Sequence, residues 1–309
     1  MKCALRCILG AAAMSWSTLS AIDAESNFSD FSTVDIKETE KERPFFVKLS
    51  GDAIAKSEIN RTEFKGDKFR YSEVEGSLNL VFLYNPPNKE GLYGSLGFDV
   101  VRLDWPGNPY FRQERFDTAN IALGAFTERF KGWIWHSFVS MNMDTGHFDP
   151  SEYATYDLML WGRYAYCANL GVHIGFLAQT GMKVDQVYPV LGVDWDISNN
   201  WKLNLVFPVN VSAIYLYDKV WSFELAGRAF NSVHRTDKHA PLSKAIFTYR
   251  AYAGEFGINY DYNSWIIANI HAGYTMGGTL KIANRHYKHR KRLDFDSAPY
   301  FGGEFEIKF

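Results

Sequence analysis

Cysteine is scarce in this sequence, and a long apolar run is missing altogether. Three cysteines occur in 309 residues. Cys3 and Cys7 fall in an N-terminal segment that reads as an export signal, so Cys167 stands alone in the mature chain and no intramolecular disulfide can form. Cys167 lies in the tight-turn sequence Tyr166-Cys-Ala-Asn169, the position of a bystander and not of a nucleophile. No uninterrupted apolar stretch reaches the ~20 residues that a transmembrane helix needs. The net charge is -2, which gives nucleic acid no electrostatic footing. There is no Gly-rich phosphate loop, no Cys-x-x-Cys pair, no Gly-x-Ser-x-Gly nucleophile turn and no pair of carboxylates at helical spacing. Nucleotide, metal and cofactor chemistry therefore has no motif to stand on, and no metal or cofactor is expected.

Aromatic residues and glycine are plentiful. The chain carries 24 Phe, 18 Tyr, 9 Trp and 24 Gly, at 47% hydrophobic overall. Mean hydropathy is nevertheless only -0.23, a combination that fits strands apolar on one face only. Lys2 and Arg6 precede the apolar core Cys7 to Met14, and Ala21 or Ala24 offers a cleavage point. Residues 1–24 thus read as a cleavable secretory signal peptide. Its removal takes away Lys2, Arg6 and Asp23 and leaves 31 basic against 34 acidic residues, a net charge of -3. Residues 25–43 are polar, acid-rich and without periodicity, as in a flexible leader.

From residue 44 onward the apolar residues recur with a period of two. Alternation marks strands at 45–53, 74–84, 92–100, 121–125, 133–139, 156–166, 170–178, 187–197, 201–207, 213–217, 221–227, 254–260, 266–276 and 301–309. Connections alternate in length. Short ones lie at 85–91, 130–131, 168, 198–199, 218–219 and 262–263; mostly longer ones lie at 57–69, 106–116, 143–152, 181–186, 208–212, 231–244 and 283–298. Tight turns at one end and long loops at the other describe an antiparallel up-and-down β-barrel of about 14 strands. Twelve is the alternative, should Pro208 be a kink inside one strand. Trp105, Trp133, Trp135, Trp195, Trp201, Trp221, Trp265, Tyr84 and Tyr260 fall near strand ends, where a membrane barrel carries its aromatic girdles.

In the last strand Phe301, Gly303, Phe305, Ile307 and Phe309 share one face, and Gly302, Glu304, Glu306 and Lys308 the other. This segment resembles the C-terminal strand of bacterial outer-membrane β-barrels, with apolar residues at every second position and a terminal Phe. The resemblance implies an all-β transmembrane barrel over residues 44–309, resident in the outer membrane among lipid and lipopolysaccharide. It also implies that Phe301, Phe305, Ile307 and Phe309 form the signal read by the outer-membrane barrel assembly machinery. Barrels of this size that carry no assigned substrate are the nearest in kind.

The face opposite the apolar one is expected to line the lumen. Asp157, Arg163, His173, Asp194, Lys202, Glu224, Arg228 and Glu255 are its candidate pore-lining residues, charges of both signs that would select solutes. A porin-like passive channel for small hydrophilic solutes follows. The alternatives are a non-conducting surface barrel whose loops bind a partner, and, furthest behind, an interfacial lipid-modifying enzyme. His136 and Ser137 are adjacent, but strand parity sends them to opposite faces. The loop 285–292 concentrates Arg285, Lys288, Arg290, Lys291 and Arg292, a basic surface suited to lipopolysaccharide phosphates, sulfated glycans or an anionic solute.

Overall fold

The computed structural model describes residues 44–60, 63–183 and 185–309. The signal-peptide and leader assignments, residues 1–43, fall outside them.

Period-two alternation in residues 45–308 yields fifteen strands. They are β1 (Phe45–Glu58), β2 (Lys68–Asn85), β3 (Glu90–Asp104), β4 (Arg115–Thr127), β5 (Trp133–Asp144), β6 (Ala154–Cys167), β7 (Leu170–Gly181) and β8 (Gln186–Asp196). They continue with β9 (Trp201–Phe207), β10 (Asn210–Leu216), β11 (Trp221–Arg235), β12 (Ile246–Tyr262), β13 (Ile266–Ala283), β14 (Lys291–Phe295) and β15 (Pro299–Lys308). Each pairs antiparallel with its predecessor from β1 to β13. β15 then joins β13 (Ile270↔Gly303) to β1 (Val47↔Ile307) and closes the ring. β14 continues the same position toward the long-loop end, paired with β13 (Leu280↔Leu293) and bridged to β1 at Ile59. The result is a closed barrel of fourteen strands. Closure removes both sheet edges, which in lipid would leave unpaired backbone groups.

The outside is a continuous apolar belt. Val47, Leu78, Leu96, Ile121, Leu158, Ile174, Leu225, Phe256, Ile270 and Phe305 all face outward and are more than a third exposed. Each such side chain would gain about 1.5–3 kcal/mol on leaving water, and a belt of this extent finds that environment in hydrocarbon. Trp133, Trp135, Trp201, Trp221 and Trp265 gather at the short-turn end. Trp105 belongs elsewhere, contrary to its expected girdle position. It is buried under the long-loop end, its Nε1 donating to Asp67 Oδ2 at 3.1 Å, because the β3–β4 loop folds inward.

The long-loop end is filled by the barrel's own wall. The 208–212 segment, expected as a connection of loop length, is a turn of two residues between Phe207 and Asn210. β9 and β10 are consequently only 7 residues each. β11 pairs with β10 only as far as Gly227↔Val211, yet runs on to Arg235. β12 likewise begins at Ile246, eight residues before its expected start. Lacking a neighbour on the β10 side, the far ends of β11, β12 and β13 roll into the lumen as a flap. Their inward face carries Phe230, Phe247, Tyr249, Leu280 and Ile282, which pack on Phe69, Tyr71, Val101, Leu103 and Phe116 of the opposite wall. Tyr71 stacks on Tyr249 at 4.3 Å, and Phe116 meets Phe247 edge-on at 4.6 Å. The other face of the flap reaches β8, where Arg250 Nη2 donates to Gln186 Oε1 at 3.1 Å. A second apolar cluster, including Phe138, Met159, Leu177 and Val190, coats the inner wall from β3 to β9.

Candidate functional site

Below the flap, beside the second apolar cluster, one part of the lumen is lined mainly by polar groups. A cavity of about 110 Å³ is lined by Lys48, Ser50, Glu75, Ser77, Asn79, Ser95, Thr118 and Asn120 from the wall and by Asn231 to His234 of β11. Strand alternation supplies the wall's polar groups, and the free side of β11 presents its backbone to the same space. Buried polar atoms facing the cavity include Asp99 Oδ1, Gln179 Oε1 and His234 Nε2, none with a protein hydrogen-bond partner. Such groups are costly unless water or a solute satisfies them, and the cavity has room for several waters.

The eight expected pore-lining residues separate into distinct groups. Asp157 is a buried hub that accepts from Ser140 Oγ (2.9 Å), Asn142 Nδ2 (2.7 Å) and Gln179 Nε2 (2.9 Å). Arg163 grips Asp194 with two bonds, from Nε at 2.8 Å and Nη2 at 2.6 Å. His173 completes that unit. Trp161 Nε1 donates to its Nδ1 at 3.0 Å, so the Nε2 proton points at Asp194. Arg228 and Glu255 form the third group, with Arg228 Nε 2.8 Å from Glu255 Oε2. Arg228 Nη1 also crosses the lumen to Asp52 Oδ2 at 3.2 Å, while His271 Nε2 meets Asp52 Oδ1 at 2.7 Å and Tyr300 donates to Glu255. Glu224 accepts from Asn259 Nδ2 at 3.3 Å. Lys202 sits at the short-turn rim, 3.8 Å from Asp196, with both half exposed. Arg163 is thus tied into an ion pair within the wall, and Arg228 into one within the wall and one across the lumen.

Two glycines make these pairings possible. A Cβ on Gly171 would lie 2.2 Å from Asp194 Oδ1, and one on Gly302 would lie 2.0 Å from Asp52 Oδ1. Glycine inside a strand marks such close approaches, and Gly302 was the available hint of the Asp52–His271 contact. Strand parity places Asp99 on the lumen face, but its neighbours there follow only from the register. Asp99 joins Glu73 and Glu75 in a cluster whose carboxylate oxygens lie within 4.8 Å of one another, because β2–β3 register sets Glu75 opposite Asp99. His136 points inward and is buried, opposite buried Trp161 in the ladder, while Ser137 occupies the other face, opposite exposed Leu160. Among the described residues no hydrogen bond joins them.

Above the lumen, loops clasp the flap tip. Leu242 N donates to Tyr110 O of the β3–β4 loop at 2.9 Å. On the other side Lys244 pairs with Glu152, and His147 Nε2 lies 3.4 Å from Asp237 Oδ2 and its Nδ1 3.2 Å from Asp144 Oδ1. The Lys244 hydrogen bond holds the Glu152 carboxyl below its ordinary 4.5 and raises Lys244 itself. The His239 backbone N–H, with His147 nearby, lowers Asp237. Lowered carboxylates stabilise the clasp above their ordinary range and lose that effect as pH falls through their folded values; the raised lysine loses its effect only in strong alkali. Amide exchange at Leu242 and Ala245, corrected for intrinsic rates, is therefore expected to stay constant through the neutral range and to accelerate in acid. Protection that persists below the carboxylate range would show that the pair does not hold the flap.

The basic residues occupy the β13–β14 hairpin. Part of the expected 283–298 loop is strand β14, because its alternation (Leu293 and Phe295 inward) is buried under the flap. Lys291 lies 3.7 Å from Glu63, Arg292 Nε 2.7 Å from Asp294 Oδ1, and Arg290 sits over the Tyr287 ring at 4.1 Å. Arg285 Nε donates to His286 Nε2 at 2.9 Å, and Lys288 is exposed. At the opposite end of the barrel Phe301, Phe305 and Phe309 face outward with Ile307 on the same side, and Phe309 N donates to Phe45 O at 2.8 Å.

No protein-family model matches the chain. It is 27% identical over 192 residues to a protein of Chlamydia pneumoniae and 25% over 190 residues to one of Chlamydia trachomatis, each described as an uncharacterized protein. Both alignments cover 61% of this chain and 60% of the relative, so the chain spans about three fifths of their length. Among solved structures it is similar to the COG4313 outer membrane channel from Pseudomonas putida F1, with a TM-score of 0.49 and 9% identity over 86% of this chain and 96% of that one. It is also similar to a TodX monoaromatic hydrocarbon channel mutant, with a TM-score of 0.45 and 8% identity over 86% and 91%.

Proposed function

We propose that this barrel sits in a bacterial outer membrane and is a channel for small hydrophilic solutes, closed at rest by the inturned ends of β11–β13. One observation carries the reading: the polar cavity runs beside the unpartnered side of β11, lined by wall residues from β1 to β7 and by buried polar atoms without protein partners. A barrel built only as an anchor gains nothing from a polar cavity in its lumen, whereas a conduit needs polar space there. The free β11 edge of the flap is held by side chains and loop contacts, which can part while its β13 side stays laddered to β14. Export through residues 1–24 and insertion by the barrel assembly machinery, guided by the strand ending at Phe309, belong to the same proposal, as does contact with lipopolysaccharide at the long-loop end. No enzymatic activity is proposed.

The second reading, a non-conducting surface barrel, draws on the apolar packing of Tyr71, Tyr249, Phe116 and Phe247 across the lumen. Single-channel recording of the refolded protein in a planar bilayer separates the two. Brief discrete openings, more frequent when acid loosens the clasp, are expected of the channel. A barrel that shows heat-modifiable gel migration yet never conducts at any pH sinks that reading in favour of the second.

A further inference from the structure

The face of the flap turned toward β8 carries an unusual run of charge. Arg250 on β12, Lys281 on β13 and Arg292 on β14 occupy one face of three adjacent strands. Lys281 is directly opposite both Thr248 and Arg292 in the ladders, and Arg250 is opposite Thr279, one step along the same face. Directly opposed side chains stand about 4.5–5.5 Å apart at Cβ, and like charges placed so destabilise a sheet. Arg290 comes within electrostatic reach of Lys281 as well. A single acid shares this face, Asp294, which takes Arg292 at 2.7 Å and the Thr279 hydroxyl at 3.4 Å. Four cations against one carboxylate leave this face net positive.

Its neutral groups are hydrogen-bond donors in want of acceptors. Thr248, only 1% exposed, has no partner for its hydroxyl. Gln186 uses its Oε1 to accept from Arg250 and Tyr188, which leaves its buried Nε2 a donor without a partner. Tyr188, Tyr252 and Tyr287 surround the same place. Guanidinium and ammonium groups beside unsatisfied N–H and O–H donors are the complement of a tetrahedral oxyanion, which offers only acceptors.

We propose that this face binds a phosphoryl group carried by a soluble solute arriving at the long-loop mouth. The site is Arg250, Lys281, Arg290 and Arg292, with Thr248 and Gln186 as neutral donors. It is distinct from Arg285 and Lys288, which lie in the turn between β13 and β14, and it stands whether or not the barrel conducts.

The test is titration of the refolded full-length barrel with inorganic phosphate, followed by calorimetry at constant ionic strength, with sodium chloride as the matched control. Saturable phosphate binding is expected, weakened at least tenfold in the Lys281→Gln, Arg292→Gln double variant, the loss of a charge-assisted bond. The Arg285→Gln, Lys288→Gln variant should bind as the parent does. Heat-modifiable migration verifies that each variant folds, and Arg290→Gln, at an exposed position, repeats the test with little risk to the fold. Absence of phosphate binding overturns the proposal. So does equal weakening in both double variants, which would mark diffuse surface charge, and so does equal competition by chloride. A parallel titration with lipopolysaccharide micelles distinguishes the source. If micelles bind through Lys281 and Arg292 while free phosphate does not, the ligand is a lipid headgroup and the soluble-solute assignment fails.

Discussion

Replacing Phe247 and Tyr249 together by alanine is expected to turn a mostly silent barrel into one that conducts in sustained steps. Both rings sit on the flap's inward face and together meet Phe69, Tyr71, Phe111 and Phe116. Truncating a buried aromatic costs about 3–5 kcal/mol of packing. If even half of that is specific to the closed arrangement, two truncations approach the ~5.5 kcal/mol that reverses a two-state population from 1:99 to 99:1. The backbone ladder of β11–β13 is untouched by either change, so the barrel should still close its ring and migrate as a folded species. Planar-bilayer recording of parent and variant side by side is the measurement. Equal silence in a variant that folds would mean that the flap is permanent filling and that no aqueous path lies behind it.

The second large effect concerns Arg228. Its guanidinium bridges Glu255 on the neighbouring strand and Asp52 across the lumen, and Asp52 and Glu255 are only 11% and 7% exposed at their side chains. Arg228→Met removes the guanidinium that bridges these two largely buried carboxylates. Breaking a buried pair from one side costs about 3–5 kcal/mol, most of it the penalty of the charge left behind. Urea unfolding of the refolded barrel should therefore shift to markedly lower denaturant. Adding Asp52→Asn and Glu255→Gln to the same chain should restore most of the loss, since nothing charged then stays unpaired. If the triple variant is as weak as the single one, Arg228 acts through packing of its aliphatic stem and the electrostatic account is wrong.

Period two made the wall legible. All fourteen positions of the ring and the faces of Phe301, Phe305 and Phe309 follow from alternation alone, because lipid and lumen impose opposite demands on successive residues. What stayed hidden was long-range. Nothing in Phe247-Thr-Tyr-Arg250 says that its outward face will be buried against β8; that depends on β9 and β10 ending early. The partner of Arg228 could not be read either. Asp52 lies 176 residues away in the chain, and only the rolled flap brings it near. Arg163 and Asp194 were recognised as inward singly, but their pairing needed the β6–β7–β8 register. The basic segment is plain in the sequence, yet placing Arg292 beside Lys281, apart from Arg285 and Lys288 in the turn, requires knowing that β14 forms inside it.

The short β9–β10 hairpin has a consequence for the bilayer itself. Seven residues at about 3.4 Å each span about 24 Å, and a tilt near 40° reduces their height to about 18 Å. The apolar band of such barrels is about 25 Å tall. Lipid along this one sector meets a wall several ångströms too low, while around the rest of the circumference it meets full-height strands. The acyl chains there must shorten or splay, which concentrates thinning on one side of the molecule and gives it a preferred orientation toward neighbours in the membrane plane.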